Sequence, residues 1–225
     1  MPSNLHSTAI LFDLDGTLVD TADDLAASMN YALGETGCEP VPPAQVRHLV
    51  GFGARRMLKR GYQISAQKEA TEAELDTALA LFLDHYQENI AVHSRPFPGA
   101  IEMIERFSKL GVRFAICTNK REAMAVQLLE TLGVAPLFET IVGADTTTAA
   151  KPDPAPVRLC LERTNAQRGS FIGDSDTDIK AAAAADMPCF IARFGYGPIG
   201  LADQASGLFD SYEEGTLMIE SALRV

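Results

Sequence analysis

An apolar run that stops at two acids constrains the fold of this chain more than any other stretch. Residues 9–12 (Ala-Ile-Leu-Phe) are followed directly by Asp13-Leu14-Asp15-Gly16. A short apolar run ended by acids and a glycine indicates a buried strand that leads into a turn. Open α/β sheets bind their ligands at the carboxyl ends of strands. The two acids therefore predict a strand-end site, where a cation or a proton offsets the repulsion between the carboxylates.

The rest of the chain separates into a helical segment and an alternating one. Residues 21–95 carry four helical patterns and no strand pattern, with capping boxes predicted at Thr21 and Thr71. Residues 96–225 alternate helical patterns with short apolar strands, as in a mostly parallel sheet covered by helices. We therefore predict an α/β fold with a Rossmann-like, mostly parallel core domain over residues 1–20 and 96–225. An inserted α-helical cap domain is predicted over residues 21–95.

Composition and charge narrow the classes of partner. The 225 residues are 47 % hydrophobic, which is enough for a substantial core, and the net charge is −11 with no basic block. Nucleic acid and anionic membranes are therefore not expected as partners. No apolar run approaches the ~20 residues that span a bilayer, and no signal-peptide pattern is visible. We predict a cytoplasmic monomer or homodimer; an acidic protein can still bind a small phosphorylated metabolite through a local cationic site or a metal.

The four cysteines are expected to be free thiols. None of them belongs to a CxxC pair, and three lie in apolar surroundings; they are Cys38, Cys117, Cys160 and Cys189. Buried free thiols fit a reducing compartment, where disulfides are rare.

Four polar features fall at predicted strand ends. They are Asp13 with Asp15; Thr118-Asn119; Lys151; and Gly173-Asp174 with Asp178. Because the ends of parallel strands meet at one edge, these groups are expected in one cleft. Taken singly, each has an ordinary explanation as a turn residue, a helix cap or a solvated loop residue. Their joint position at strand ends favours a site.

The residue types suit phosphoryl transfer. The Asp13 and Asp174 carboxylates are hard oxygen donors of the kind that bind Mg²⁺, and a carboxylate can also attack phosphorus. Thr118, the backbone N–H of Asn119 and Lys151 can hold phosphoryl oxygens and offset their charge. Asp15 can protonate the leaving oxygen and later take a proton from water.

These motifs resemble those of the haloacid dehalogenase superfamily. The stretch 13–17 (Asp-Leu-Asp-Gly-Thr) resembles its first motif, Thr118 its second, Lys151 its third, and Gly173-Asp174 with Asp178 its fourth. The resemblance spans essentially the whole chain, including a helical cap inserted after the first motif.

The resemblance implies a role for each acid. Asp13 would be the nucleophile and Asp15 the acid/base. Mg²⁺ would be held by the Asp13 carboxylate, the Asp15 backbone carbonyl and Asp174. Asp178 would orient Lys151 or a metal-bound water.

Within that superfamily the chain is most similar to phosphoglycolate phosphatases. The matching stretches are residues 12–21, 50–54, 96–99, 117–120 and 173–175. This implies hydrolysis of 2-phosphoglycolate to glycolate and phosphate through an aspartyl-phosphate. A sugar-phosphate phosphatase and a phosphomutase of the β-phosphoglucomutase type remain alternatives. A phospho-accepting signalling module is disfavoured, because such a module needs about half this length and no hydrolytic acid such as Asp15.

The loop over residues 51–56 is the segment predicted to recognise the substrate. Gly51 and Gly53 allow close backbone approach, with Phe52 between them. Arg55 and Arg56 are cations in an acidic protein, and an arginine can grip a carboxylate through two hydrogen bonds. The alternative is that both arginines are solvated helix residues.

Overall fold

In the computed structural model, β1 lies at the centre of a six-stranded sheet. The structure describes residues 5–50, 53–66, 69–197 and 199–223. The strands of these residues are β1 (Thr8–Phe12), β2 (Val19–Asp20), β3 (Arg95–Pro96), β4 (Arg113–Cys117), β5 (Thr140–Val142), β6 (Arg168–Gly173), β7 (Cys189–Ala192) and β8 (Gly207–Phe209). The sheet order is β5-β4-β1-β6-β7-β8, and every neighbouring pair is parallel. The predicted α/β fold with a mostly parallel sheet is confirmed.

Helices cover both faces of this sheet and fill the segment between β2 and β3. They are α1 (Ala22–Glu35), α2 (Pro43–Val46), α3 (Ala54–Ser65), α4 (Glu72–Glu88), α5 (Ala100–Ser108), α6 (Glu122–Thr131), α7 (Ala155–Arg163), α8 (Asp176–Ala184) and α9 (Tyr212–Leu223). Short 3₁₀ helices lie at Arg47–Leu49, Ala135–Leu137 and Ala202–Gln204. We refer to residues 21–95, which hold α1 to α4, as the cap segment.

All five residues of β1 are buried, because the strand has a hydrophobic layer on each face. Ile10 and Phe12 belong to the larger core, which also takes in the buried faces of the cap segment. Ala9 and Leu11 point into a second core with residues of α7 and α8. A central parallel strand that is buried on both sides has a continuously apolar sequence, as residues 9–12 do.

The cap segment joins the sheet through two adjacent linkers. β2 and β3 form a two-stranded antiparallel ribbon, in which Asp20 pairs with Arg95. The sequence analysis did not predict this ribbon. Asp24, in the first turn of α1, is buried and accepts hydrogen bonds from the His93 and Ser94 N–H groups and from the Ser94 hydroxyl.

The two predicted capping boxes have different outcomes. The box at Thr71 is confirmed, with reciprocal hydrogen bonds between Thr71 and Glu74. The box at Thr21 is wrong, because the Thr21 side chain makes no capping bond and donates to Asp15 instead, at 2.7 Å.

The last part of the chain holds two elements that the sequence analysis did not assign, β8 and α9. The cysteines are free, as predicted, and Cys117, Cys160 and Cys189 are buried. Among the residues that the structure describes, no helix has the combined length and apolarity needed to cross a membrane.

Two glycine substitutions test the close pairing of β1 and β6. A Cβ at Gly169 would lie 2.2 Å from the Ala9 carbonyl oxygen, whereas a Cβ at the exposed Gly34 of α1 would meet nothing within 4 Å. We expect Gly169→Ala to lower the free energy of unfolding by about 2 kcal/mol or more, because the strands must separate. Gly34→Ala should raise it by roughly 0.5–1 kcal/mol through helix propensity. Urea unfolding measures both, and an unchanged midpoint for Gly169→Ala would contradict the strand pairing.

Candidate active site

Parallel strands bring the predicted site residues to one edge of the sheet. Asp13 follows β1, Thr118 follows β4, and Asp174 follows β6. Carboxylate oxygens of Asp13, Asp174 and Asp178 all lie within 4.8 Å of one another, and all three residues are buried. Three carboxylates this close repel strongly unless cations accompany them.

Lys151 supplies one of these cations. Its side chain is 1 % exposed, and its Nζ lies 2.6 Å from Asp178 Oδ1 and 3.0 Å from Asp13 Oδ1. Burial by itself would lower the pKa of Lys151, but the charges of Asp13 and Asp178 outweigh burial and raise it. Lys151 is therefore held as an ammonium between two carboxylates.

Asp178 uses both of its oxygens in contacts with the protein. Oδ1 accepts a hydrogen bond from the Lys151 ammonium. Oδ2 accepts hydrogen bonds from the Asp174 N–H, the Ser175 N–H and the Ser175 hydroxyl. A Cβ at Gly173 would lie 2.4 Å from the Asp178 Cβ, so this close packing requires glycine there. The arrangement suits a residue that positions Lys151 and the end of β6.

Asp174 is enclosed by two glycines and has one backbone donor. Its Oδ2 accepts from the Tyr196 N–H at 2.8 Å. A Cβ at Gly16 would lie 2.5 Å from that oxygen, and a Cβ at Gly195 would lie 2.2 Å from the Asp174 Cβ. Gly16 also has φ +80°, a left-handed conformation that favours glycine.

The electrostatics of Asp13 and Asp174 fit a divalent metal site. Burial and the neighbouring Asp178 and Asp13 carboxylates raise the pKa of Asp174 well above its ordinary value. Burial also raises the pKa of Asp13 to about 6, against the opposing charge of Lys151. A hard divalent cation would offset both penalties, and buried carboxylate oxygens are the donors that Mg²⁺ takes. The donor set therefore fits the predicted cofactor.

Asp15 is bound by residues that come from two other parts of the chain. Both of its oxygens lie 2.9 Å from the Lys120 Nζ, and Oδ1 also accepts from the Thr21 hydroxyl. The Lys120 side chain is only 6 % exposed. Burial would lower the pKa of Lys120, but Asp15 and Tyr86 raise it. The sequence analysis gave Lys120 no role, although it directly follows the strand-end pair Thr118-Asn119.

Tyr86 of α4 brings the cap segment against Lys120. The Lys120 Nζ lies 4.6 Å from the centroid of the Tyr86 ring, over the ring face. Tyr86 is 1 % exposed; its hydroxyl oxygen interacts with the Lys120 ammonium, but its O–H has no acceptor among the residues that the structure describes. Burial raises the pKa of this hydroxyl to about 12, so it is a neutral donor.

Asn119 lies beside Lys151, and Thr118 lies beside Lys120. The Thr118 hydroxyl accepts from the Lys120 N–H at 3.1 Å, and the Asn119 side-chain amide donates to the Lys151 carbonyl at 3.0 Å. The Asn119 Oδ1 atom is buried without a partner in the described part of the chain.

One cavity connects these residues to the cap segment. Its volume is about 750 Å³, and its walls include Asp13, Asp15, Thr118 and Asn119. Further wall residues come from α3 and α4 of the cap segment and from the residue before α3; they include Gly53, Arg55, Arg56, Leu75, Leu79, Phe82 and Tyr86. The structure thus places Asp13, Asp15, Thr118 and Asn119 around the same space as the cap segment, while Lys151 and Asp174 contact or neighbour Asp13 and are not among the wall residues.

The loop predicted to recognise the substrate is described only in part. Gly51 and Phe52 lie outside the described residues, while Gly53, Arg55 and Arg56 line the cavity. Arg55 is paired with two acids of α4, Glu72 and Asp76, and the contact with Asp76 is 2.6 Å long. The roles predicted for this loop stay predictions.

Tyr196 connects Asp174 with the start of the cap segment, and the sequence analysis did not identify it. Its N–H binds Asp174, while its hydroxyl donates to Asp20 at 2.5 Å and accepts from the Thr21 N–H at 2.6 Å. The Arg47 guanidinium lies 5.1 Å from the centroid of the same ring.

Comparisons with known proteins agree with one another. The family model of haloacid dehalogenase-like hydrolases matches residues 10–192. A phosphoglycolate phosphatase from Mesorhizobium japonicum is 46 % identical over 189 residues, which cover 83 % of each chain. One from Agrobacterium fabrum is 40 % identical over 205 residues, covering 90 % of this chain and 88 % of the relative. A crystal structure of a predicted phosphoglycolate phosphatase from Haemophilus somnus has a TM-score of 0.85 at 30 % identity, and the match covers 93 % of this chain and 96 % of that one.

Asp174→Asn tests the metal site without measuring activity. Because the folded protein raises the pKa of Asp174, the ionised form destabilises the metal-free fold above the ordinary carboxyl pKa. The neutral amide should therefore raise the metal-free Tm by a few degrees, where about 1 kcal/mol corresponds to 2–4 °C. The same variant should lose the Tm increase that Mg²⁺ gives the wild-type protein. Thermal unfolding in EDTA and in excess Mg²⁺, with the exposed Asp203→Asn as control, measures both; a retained Mg²⁺ shift would contradict the assignment.

Proposed function

Because the chain belongs to the haloacid dehalogenase-like hydrolase family, we propose that it is a Mg²⁺-dependent phosphatase that hydrolyses 2-phosphoglycolate to glycolate and phosphate. The family and the named relatives make the chain a phosphoric monoester hydrolase. The observation that carries the finer proposal is the buried group of Asp13, Asp174 and Lys151, in which Asp13 lines a cavity that is also lined by the cap segment.

The residues divide into those that bind and those that react. The carboxylates of Asp13 and Asp174 and the backbone carbonyl of Asp15 would hold Mg²⁺, which supplies positive charge to the phosphate when bound. Thr118, Asn119 and Lys151 would hold the phosphoryl oxygens. Asp178 would keep Lys151 in place through its 2.6 Å contact.

The reaction would proceed in two steps through an aspartyl-phosphate. An Asp13 carboxylate oxygen attacks phosphorus, the bond from phosphorus to the ester oxygen breaks, and Asp15 gives that oxygen a proton, so that glycolate leaves. Water then attacks the phosphorus, Asp15 takes a proton from the water, and the bond between phosphorus and Asp13 breaks. Phosphate leaves, Asp13 is again a free carboxylate, and Asp15 again carries the proton that it gave up in the first step.

The cap segment would act as a cap domain that closes over a core domain of residues 1–20 and 96–225. This division is supported by the two adjacent linkers and by the α3 and α4 side chains that line the cavity. Closure would exclude water from the aspartyl-phosphate and strengthen the charge interactions around it. Gly53, Arg55 and Arg56, which line the cavity, would then face the non-reacting end of the substrate.

The site of action would be the cytoplasm, with the protein as a monomer or homodimer. The free buried thiols of Cys117, Cys160 and Cys189 suit a reducing compartment.

Asp13→Asn tests the nucleophile. The amide cannot attack phosphorus, so kcat should fall by at least about a thousandfold while circular dichroism and Tm show a folded protein. Asp203→Asn, an exposed acid outside the cavity, serves as the matched control and should keep wild-type turnover. Wild-type-like turnover in Asp13→Asn would refute the assignment.

A substrate panel tests the reaction type and the metal together. We expect inorganic phosphate from 2-phosphoglycolate, measured colorimetrically, and no release once EDTA is in excess over Mg²⁺. Continued release in EDTA would exclude the metal role. Isomerisation of a sugar monophosphate without phosphate release would instead favour the phosphomutase.

A further inference from the structure

A buried tyrosine hydroxyl in the roof of the cavity has no acceptor for its proton. Tyr86 is 1 % exposed and lines the same cavity as Asp13 and Asp15; its oxygen interacts with the Lys120 ammonium, but its O–H donates to no group among the described residues. Buried polar groups are normally paired, so an unpaired donor beside a cavity points to an acceptor on a ligand.

A buried cation lies against the same ring. Lys120 lines the cavity, and its ammonium contacts both oxygens of Asp15 at 2.9 Å. An ammonium has three donors, and the Asp15 contacts engage two of them. The cavity wall beside Asp15 therefore combines a positive charge from the core with a hydroxyl donor from the cap segment.

The position of this pair relates it to one part of the substrate. Asp15, as the proposed acid/base, must lie next to the ester oxygen of the leaving group. Lys120 contacts Asp15 directly, so it lies beside the atoms attached to that oxygen. In 2-phosphoglycolate a carboxylate is attached to the carbon next to the ester oxygen, within reach of the same wall.

Arg55, a cap arginine that lines the cavity, is less available to bind a substrate carboxylate. Arg55 is bound by Glu72 and Asp76 of α4 and is 41 % exposed. A cation that already has two acidic partners gains little from a third, whereas the Tyr86 O–H has no acceptor among the described residues.

We propose that Tyr86 and Lys120 together bind a carboxylate carried by the leaving group, and so select phosphate esters of 2-hydroxy carboxylates. This inference rests on the proposed function, because it assumes that the cavity binds the phosphate ester at Asp13.

Tyr86→Phe removes the hydroxyl and keeps the ring. The test compares kcat/KM for 2-phosphoglycolate with that for ethyl phosphate, in which a methyl group replaces the carboxylate. We expect the wild-type enzyme to prefer 2-phosphoglycolate, and Tyr86→Phe to reduce this preference about tenfold, the factor expected for one hydrogen bond to a charged group. The loss should appear in KM for 2-phosphoglycolate, with ethyl phosphate little changed.

Tyr62→Phe is the matched control. Tyr62 is also a buried tyrosine of the cap segment, but its hydroxyl donates to Thr36 and lies outside the cavity wall. Its removal should leave the ratio between the two substrates unchanged.

Lys120 is tested by a second pair of variants. Lys120→Met should lower activity on both substrates, because Asp15 loses its partner, and should lower it further on 2-phosphoglycolate. Lys120→Arg keeps the charge and should restore much of the preference.

Inhibition provides a readout that does not depend on turnover. Tyr86→Phe should weaken inhibition by 3-phosphonopropionate, which carries the carboxylate, and leave inhibition by propylphosphonate unchanged.

The outcomes separate this inference from the proposed function. If the wild-type enzyme releases phosphate from neither substrate, the proposed function fails. If it hydrolyses both without preferring 2-phosphoglycolate, or if Tyr86→Phe leaves the preference intact, the carboxylate site is wrong while the phosphatase stands. Equal losses of kcat/KM on both substrates would mean that Tyr86 and Lys120 only hold Asp15 in place and do not bind the substrate carboxylate.

Discussion

The burial of three carboxylates around one ammonium is the constraint on which the rest of this structure depends. Asp13, Asp174 and Asp178 share a space less than 5 Å across, and Lys151 is bound to two of them. Such a group is costly to desolvate, and it persists because the fold supplies backbone donors and strand ends that hold each acid in place. The parallel order of β4, β1 and β6 brings the residues together.

The parts of the site that the sequence predicted are those set by local pattern and sheet topology. Asp13 directly follows a strand that is apolar on both faces, so its position at the strand end followed from residues 9–12 alone. Thr118 and Asp174 follow the strands on either side of β1, and parallel pairing makes their convergence a geometric consequence.

The parts that the sequence did not predict depend on contacts between distant segments. Lys120 contributes to the site because its ammonium contacts Asp15, which lies 105 residues earlier in the chain. Tyr86 contributes because it brings α4 against Lys120. The capping box at Thr21 failed for the same reason, since a tertiary partner took its hydroxyl. α9 buries one face at helical spacing, but two of its buried residues are Gly215 and Thr216 while the apolar Leu217 is 60 % exposed, so a hydrophobic pattern does not reveal the helix.

Asp24 joins the two linkers between the cap segment and the sheet. One carboxylate at the start of α1 is bound by the backbone and side chain of the chain that returns to the core. The chain that leaves the core and the chain that returns to it are thereby joined to each other. If α1 to α4 rotate about this joint, Tyr86 moves with the cap segment while Lys120 stays with the core, so the two groups meet only in the closed arrangement. Substrate selection in this chain would then depend on a joint that never touches the substrate.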